Sequence, residues 1–208
     1  RLARPGQTGS MSTSLVRADA PVAPRRAGLV IGVGVALLWL IELVDQITRG
    51  SLDALGIHSW QLSSLPSIFL APWLHLDWAH LSANTLPFAA LGFLVVLGGA
   101  VRALLSTLWS VVVSGLSAWL LSPPNTVTIG ASGLIFGWLT YLLTRGLFAR
   151  DGKQILLAVV IFVVYGGILW GVFPTQAGVS WQAHLGGAIG GVLAAWSLHR
   201  RRTARAHG

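Results

Sequence analysis

Six stretches of this chain, at about residues 27–44, 78–98, 101–121, 131–148, 154–173 and 181–198, are apolar for 18 to 21 residues at a time. That is the length a helix needs to cross the hydrocarbon core of a bilayer, about 20 residues for 30 Å. Within lipid a segment must satisfy its own backbone N–H and C=O groups, and for single runs of this length only a helix does so. The pattern therefore predicts an all-α membrane protein, a bundle of six transmembrane helices. Composition agrees, since 54% of the 208 residues are hydrophobic and 10% charged, against about a quarter charged in soluble domains.

The net charge of +8 does not mark a nucleic-acid binder, because the basic residues sit in short segments between the apolar runs with no interleaved aromatic platform. Their placement orients the chain instead. Thirteen of the 14 Lys and Arg fall before the first span, between the second and third, between the fourth and fifth, and after the sixth, and Arg49 alone falls elsewhere. With six spans those four segments share one side, which the positive-inside rule makes the cytoplasm, so both termini are expected there. The chain has no cysteine, which removes disulfides, thiol nucleophiles and thiolate metal sites from consideration.

Residues 1–26 carry five arginines and three prolines without apolar periodicity and read as a disordered basic tail. Residues 27–200 form the membrane domain and 201–208 a second basic tail. No small-residue cleavage site follows the first apolar run, so it reads as a retained helix and not a signal peptide. Residues 45–74 are too broken by Arg49, Asp53, Pro66 and Pro72 to span and too apolar to float free. Trp60, Trp73 and Trp78 suit the headgroup level, which predicts a partly embedded first loop.

Polar residues converge on one depth of this scheme. His75, His80 and Asn84 precede or open the second span, Ser132 opens the fourth within Gly130-Ala131-Ser132-Gly133, and His184 lies just inside the sixth. All three spans run from outside to inside, so the five residues share the outer end. Ionisable groups at such positions are costly and are kept where they line a cavity or do chemistry. Gly130 and Gly133 let backbone approach a reacting carbonyl, and the helix start offers free N–H groups to an oxyanion. A serine hydroxyl needs a base, and His184 is the residue type suited to that task near neutrality. No carboxylate lies in the fourth or sixth span, so the implied pair is a Ser–His dyad with the imidazole held by packing. Phe136, four residues after Ser132, can stack on it. His80 and Asn84, at i and i+4, can donate to a tetrahedral oxyanion.

Blander readings of the same residues stand beside this one. Small residues are how membrane helices approach closely, and a histidine near a helix end is often interfacial. Metal binding by His75, His80 and His184 is conceivable, but no acidic ligand recurs with them and the five-residue step from His75 to His80 suits one helical face poorly. No metal or cofactor is expected.

The motifs His75-x4-His80-x3-Asn84, Gly130-Ala131-Ser132-Gly133 and Ala183-His184-Leu185-Gly186-Gly187 running on to Gly191 resemble those of the rhomboid intramembrane serine proteases in order, spacing and span. The resemblance covers about residues 27–200. It implies the six-helix rhomboid core, nucleophile Ser132, base His184, and oxyanion contacts from His80, Asn84 and the Ser132 backbone, with His75 supporting the site. The stripe His184, Gly187, Gly191 would let the sixth span pack closely on the fourth. The implied substrates are membrane proteins cut near the outer end of a transmembrane helix, and the implied location is a bacterial cell membrane. Two departures stand out. Leu65-Pro66-Ser67 occupies the stretch where many rhomboids carry a Trp-Arg pair, and Phe136 replaces a common tyrosine. An inactive rhomboid-like protein that binds membrane helices is the alternative. A small transporter is a further class, with Glu42 its clearest intramembrane polar residue.

Overall fold

The computed structural model describes residues 20–174 and 178–206, with side chains through residue 198. Among these, six α-helices dominate: α1 (Pro24–Ile47), α2 (Trp78–Leu97), α3 (Ala100–Leu121), α4 (Ser132–Ala149), α5 (Gly152–Tyr165) and α6 (Trp181–Ala206). Four segments, Pro24–Ile47, Trp78–Leu97, Ala100–Leu121 and Gly152–Val172, are long and apolar enough to cross a membrane by length and composition. Most of the basic leader expected at 1–26 lies outside the described residues. Its last three residues instead open α1, where Pro24 suits a first helical position because its missing N–H has no intrahelical acceptor there anyway.

The fifth apolar run departs from a single helix. It is α-helical to Tyr165 and then tightens into a 3-10 segment, Gly166–Val172. Gly166 and Gly167 fall at the change, and paired glycines give the α form the least support there. The all-α expectation also missed two short strands, β1 (Ile57–His58) and β2 (Val127–Thr128), which pair antiparallel with Ile57 opposite Thr128.

Helix α4 is the axis of the molecule. Gly133 to Leu139, Tyr141, Leu142 and Gly146 are buried, so it is covered nearly all round, as a core helix must be. α6 approaches both α4 and α3 at backbone distance, and α3 meets α4 through the Ser110 and Ser114 side chains. A Cβ added at Gly187 would fall 2.8 Å from the carbonyl carbon of Gly133, and one at Gly191 would fall 2.9 Å from that of Gly137. Gly190 has the same relation to Trp109 of α3, whose carbonyl oxygen would be 2.6 Å away. Lipid supplies no hydrophobic drive between helices, so close contact and interhelical hydrogen bonds must do the work. Ser114 Oγ accordingly donates to the Ala183 carbonyl at 2.8 Å and Thr140 Oγ1 to the Ala188 carbonyl at 2.8 Å.

The first loop is folded as short 3-10 turns, Asp53–Leu55, Leu62–Phe69 and Ala71–Trp73, around β1. It is tied to the end of α3 by the Trp60 N–H on the Trp119 carbonyl (3.2 Å), Trp119 Nε1–H on the Gln61 carbonyl (3.0 Å) and Trp60 Nε1–H on the Ser122 carbonyl (3.0 Å). Leu65-Pro66-Ser67 lies in the second of these turns, with buried Ile68 against Gly115 of α3.

Candidate active site

Ser132 is the first residue of α4, directly after β2 and a bend at Gly130, whose φ of +118° few side chains tolerate. The bend is pinned on both sides. The Gly130 N–H donates to the Ala71 carbonyl at 2.8 Å, and the Ala131 N–H points to His75 Nε2 at 3.4 Å. His75 is 1% exposed, and burial, helped by the His80 ring, pushes its imidazole down to about 4. It is therefore neutral near pH 7 and its Nε2 lone pair is free to accept.

His184 lies one turn into α6, with Nε2 2.8 Å from Ser132 Oγ. Its other ring nitrogen, Nδ1, lies 2.9 Å from the carbonyl oxygen of Gly171. A carbonyl can only accept, so Nδ1 carries the hydrogen and Nε2 is left as the acceptor for the serine O–H. Phe136 stacks on the ring with centroids 4.2 Å apart and planes 10° from parallel. The imidazole is thus fixed by an aromatic face and a backbone carbonyl, with no carboxylate bonded to it among the described residues.

His80 and Asn84 stand on α2 across from this pair. Asp77 caps that helix by accepting from the His80 N–H at 2.7 Å. The His80 ring covers Gly130 so closely that a Cβ there would meet its Nε2 at 2.9 Å, while His75 meets it edge-on at 5.1 Å. Asn84 Nδ2 donates one hydrogen to the His80 carbonyl at 2.9 Å, which leaves a second amide hydrogen for another acceptor. Ser132, His184, His80, Asn84, Gly130 and Gly171 line one cavity of about 840 Å³.

The structure therefore brings Ser132, His184, His80, Asn84, Gly130 and Phe136 together and sets His75 just behind them. Gly133, Gly187 and Gly191 lie in the adjoining helix contact. The Gly171 carbonyl was missed, and the cluster Gly166, Gly167 and Gly171 within an apolar run was the one available sign of backbone put to special use. Among the described residues no group of three His, Cys, Asp or Glu is placed to hold a metal ion.

Comparison with known proteins agrees with the residue pattern. A family model described as "Rhomboid domain" matches residues 60–201. An uncharacterized protein of Mycobacterium tuberculosis is 46% identical over 188 residues, covering 86% of this chain and 78% of that protein. One of Mycobacterium leprae is 47% identical over 179 residues, 82% of this chain and 71% of that protein. Rhomboid-like protein 11, chloroplastic, of Arabidopsis thaliana is 29% identical over 179 residues, 70% of this chain and 61% of that protein.

Proposed function

The chain belongs to the rhomboid family, and we propose that it is an intramembrane serine endopeptidase that cleaves transmembrane helices of membrane proteins with a Ser132–His184 dyad. The observation that carries this reading is the 2.8 Å contact from Ser132 Oγ to the nitrogen of His184 that the Gly171 carbonyl leaves unprotonated. Ser132 Oγ attacks the scissile carbonyl carbon as its proton passes to His184 Nε2. The displaced electron pair settles on the carbonyl oxygen. The N–H groups of the first α4 turn have no intrahelical acceptor, and with His80 and the second Asn84 amide hydrogen they receive that charge. Collapse breaks the C–N bond, and the leaving amine takes the proton from Nε2. Water then repeats the sequence on the acyl-serine, and Ser132 regains its hydrogen.

In this reading residues 27–200 are the protease domain and all six helices cross the bilayer, α4 and α6 sheltered by the other four. The alternate placement of basic segments supports termini in the cytoplasm and a site opening on the outer face of a bacterial cell membrane. Neither a cofactor nor nucleic acid takes part. A serine-reactive fluorophosphonate should label the wild-type chain, and Ser132→Ala and His184→Ala should each lose labelling and cleavage of a model transmembrane substrate while staying folded. Undiminished cleavage by Ser132→Ala would overturn the mechanism. Absence of wild-type labelling would favour an inactive helix-binding rhomboid instead.

A further inference from the structure

Three carboxylates meet where α1 gives way to the first loop, and the dyad uses none of them. Glu42 and Asp45, three residues apart on one face of α1, are 1% and 2% exposed. Each gives one oxygen to a neighbour, Glu42 Oε1 accepting from the Gln46 amide at 2.8 Å and Asp45 Oδ1 from the Leu52 N–H at 2.6 Å. The second oxygen of each, and Asp53 Oδ1 in the 3-10 turn just after, is closed to solvent and has no hydrogen-bond partner. The charges of Asp45 and Glu42 both reach Asp53.

Cations are scarce here. Arg49, the only Lys or Arg between residues 27 and 101, is exposed, and residues 103–144 and 154–199 hold none. While the three groups are ionised their orphaned oxygens are all acceptors and cannot satisfy one another, and a buried unpaired carboxylate is costly enough to take up a proton instead. Asp53 is the member placed to do so, because it is half-buried in the loop where water can reach it. Burial, helped by the charges of Asp45 and Glu42, pushes it up to about 6 from the ordinary 3.8. The same turn walls the catalytic cavity, which Asp53, Ala54, Ile57 and His58 line together with Ser132 and His184.

We infer that Asp53 is a positioning residue: carrying a hydrogen taken from water, it donates to Glu42 or Asp45 and seats the first turn of the loop on α1 as a wall of the catalytic cavity, and on returning that proton it is repelled and lets the wall go. Its bearing on cleavage rests on the protease reading above, while the movement itself does not. The seated loop holds the proton more tightly than the released one, so seating is firm in acid and is lost as pH rises through about 6. The two values bound the change in the seated-to-released ratio at roughly 10²-fold, which water beside this half-exposed group trims to about ten-fold. The other ionisable groups around the turn are Arg49, Asp77 at the start of α2, whose charge reaches Glu42, and the cavity histidines His58, His80 and His184.

The test uses the full chain with Ser132→Ala in phosphatidylcholine nanodiscs, so that no catalytic step enters the readout. A nitroxide on Leu55→Cys, 48% exposed in the same turn, reports the loop, and one on Leu104→Cys, 67% exposed on α3, is the control; the chain has no cysteine to interfere. From about pH 5 to 8 the ratio of mobile to immobile spectrum at position 55 should rise about ten-fold with a midpoint near 6, and that at position 104 should not move. Acid acting through His75 would loosen the fold in the opposite direction. Asp53→Asn, which always donates and never ionises, should stay immobile throughout, and Asp53→Ala, which cannot donate, should be mobile throughout. A loop label that ignores pH, or a transition that survives in Asp53→Asn and so belongs to His58 or His80, would overturn the proposal. Failure of the Ser132 chain to react with fluorophosphonate would count against the protease reading and leave this result standing.

Discussion

Replacing Gly187 by alanine tests how tightly the site depends on helix contact. The new Cβ would stand 2.8 Å from the Gly133 carbonyl carbon and 3.2 Å from its Cα, and closer still to the carbonyl oxygen. Comfortable carbon contacts are about 3.5–4.0 Å, so α6 must retreat from α4 by roughly 1 Å. Backbone atoms on the other side cannot rotate away. Overpacking of this kind costs about 1–3 kcal/mol, against a gain of up to about 1 kcal/mol from helix propensity. The net loss should lower the unfolding midpoint in detergent by a few degrees. Chemistry should suffer more, because His184 sits one turn earlier on the retreating helix. A 1 Å shift takes the 2.8 Å contact with Ser132 beyond hydrogen-bond range, and such misplacement can cost about 10²-fold in rate. The assay is the rate of fluorophosphonate labelling beside the thermal midpoint. Gly28→Ala and Gly32→Ala are controls, since nothing lies within 4 Å of either position. A Gly187→Ala protein with wild-type labelling and midpoint would refute the reasoning, as would equal losses in the controls.

Acid should weaken the fold through His75. Its folded value of about 4 lies below the ordinary 6.5, so its contribution is intact above pH 6.5 and is lost as pH falls toward 4. The size is about 3 kcal/mol at about 1.4 kcal/mol per pH unit, and thermal midpoints between pH 7 and 4 should show a steeper loss in wild type than in His75→Gln. Asn84→Ala should lower kcat by roughly 10²–10³ with little change in KM, since the donor matters as charge builds. A lower midpoint with intact turnover would reduce Asn84 to its bond with the His80 carbonyl. Single cysteines at the turn between α4 and α5 should react only from the cytoplasmic side, and external labelling there would reverse the topology.

Much of this structure could be read before any coordinates because lipid leaves a chain few options. Apolar length gave the first four helices to within a few residues, while the fifth leaves the α form after Tyr165 and the sixth runs on to Ala206; Gly187 and Gly191, spaced to face one neighbour, do lie against Gly133 and Gly137. Polar residue type and the alternation of the spans were enough to group Ser132, His80, Asn84 and His184, which line one cavity. What escaped notice depends on backbone. The pairing of Ile57 with Thr128 joins two-residue strands 71 positions apart, too short for any alternation to register. The turn from α-helix to 3-10 at Gly166 follows from a balance of weak preferences. The loop's attachment through Trp60 and Trp119 relies on carbonyls of Gln61, Trp119 and Ser122, which every residue possesses.

Gly171 shows what such contacts mean for experiment. Its carbonyl decides which nitrogen of His184 holds the hydrogen, yet no side-chain replacement deletes a carbonyl. A scan changing one residue at a time would register position 171 only through the crowding a methyl would cause, 2.9 Å from Phe136 and 3.1 Å from His184 Nδ1. The defect would be filed as steric. Separating the two causes requires editing the main chain itself. An ester in place of the amide between Gly171 and Val172 weakens that acceptor while leaving every side chain where it was, and the tautomer of His184 would then register the loss.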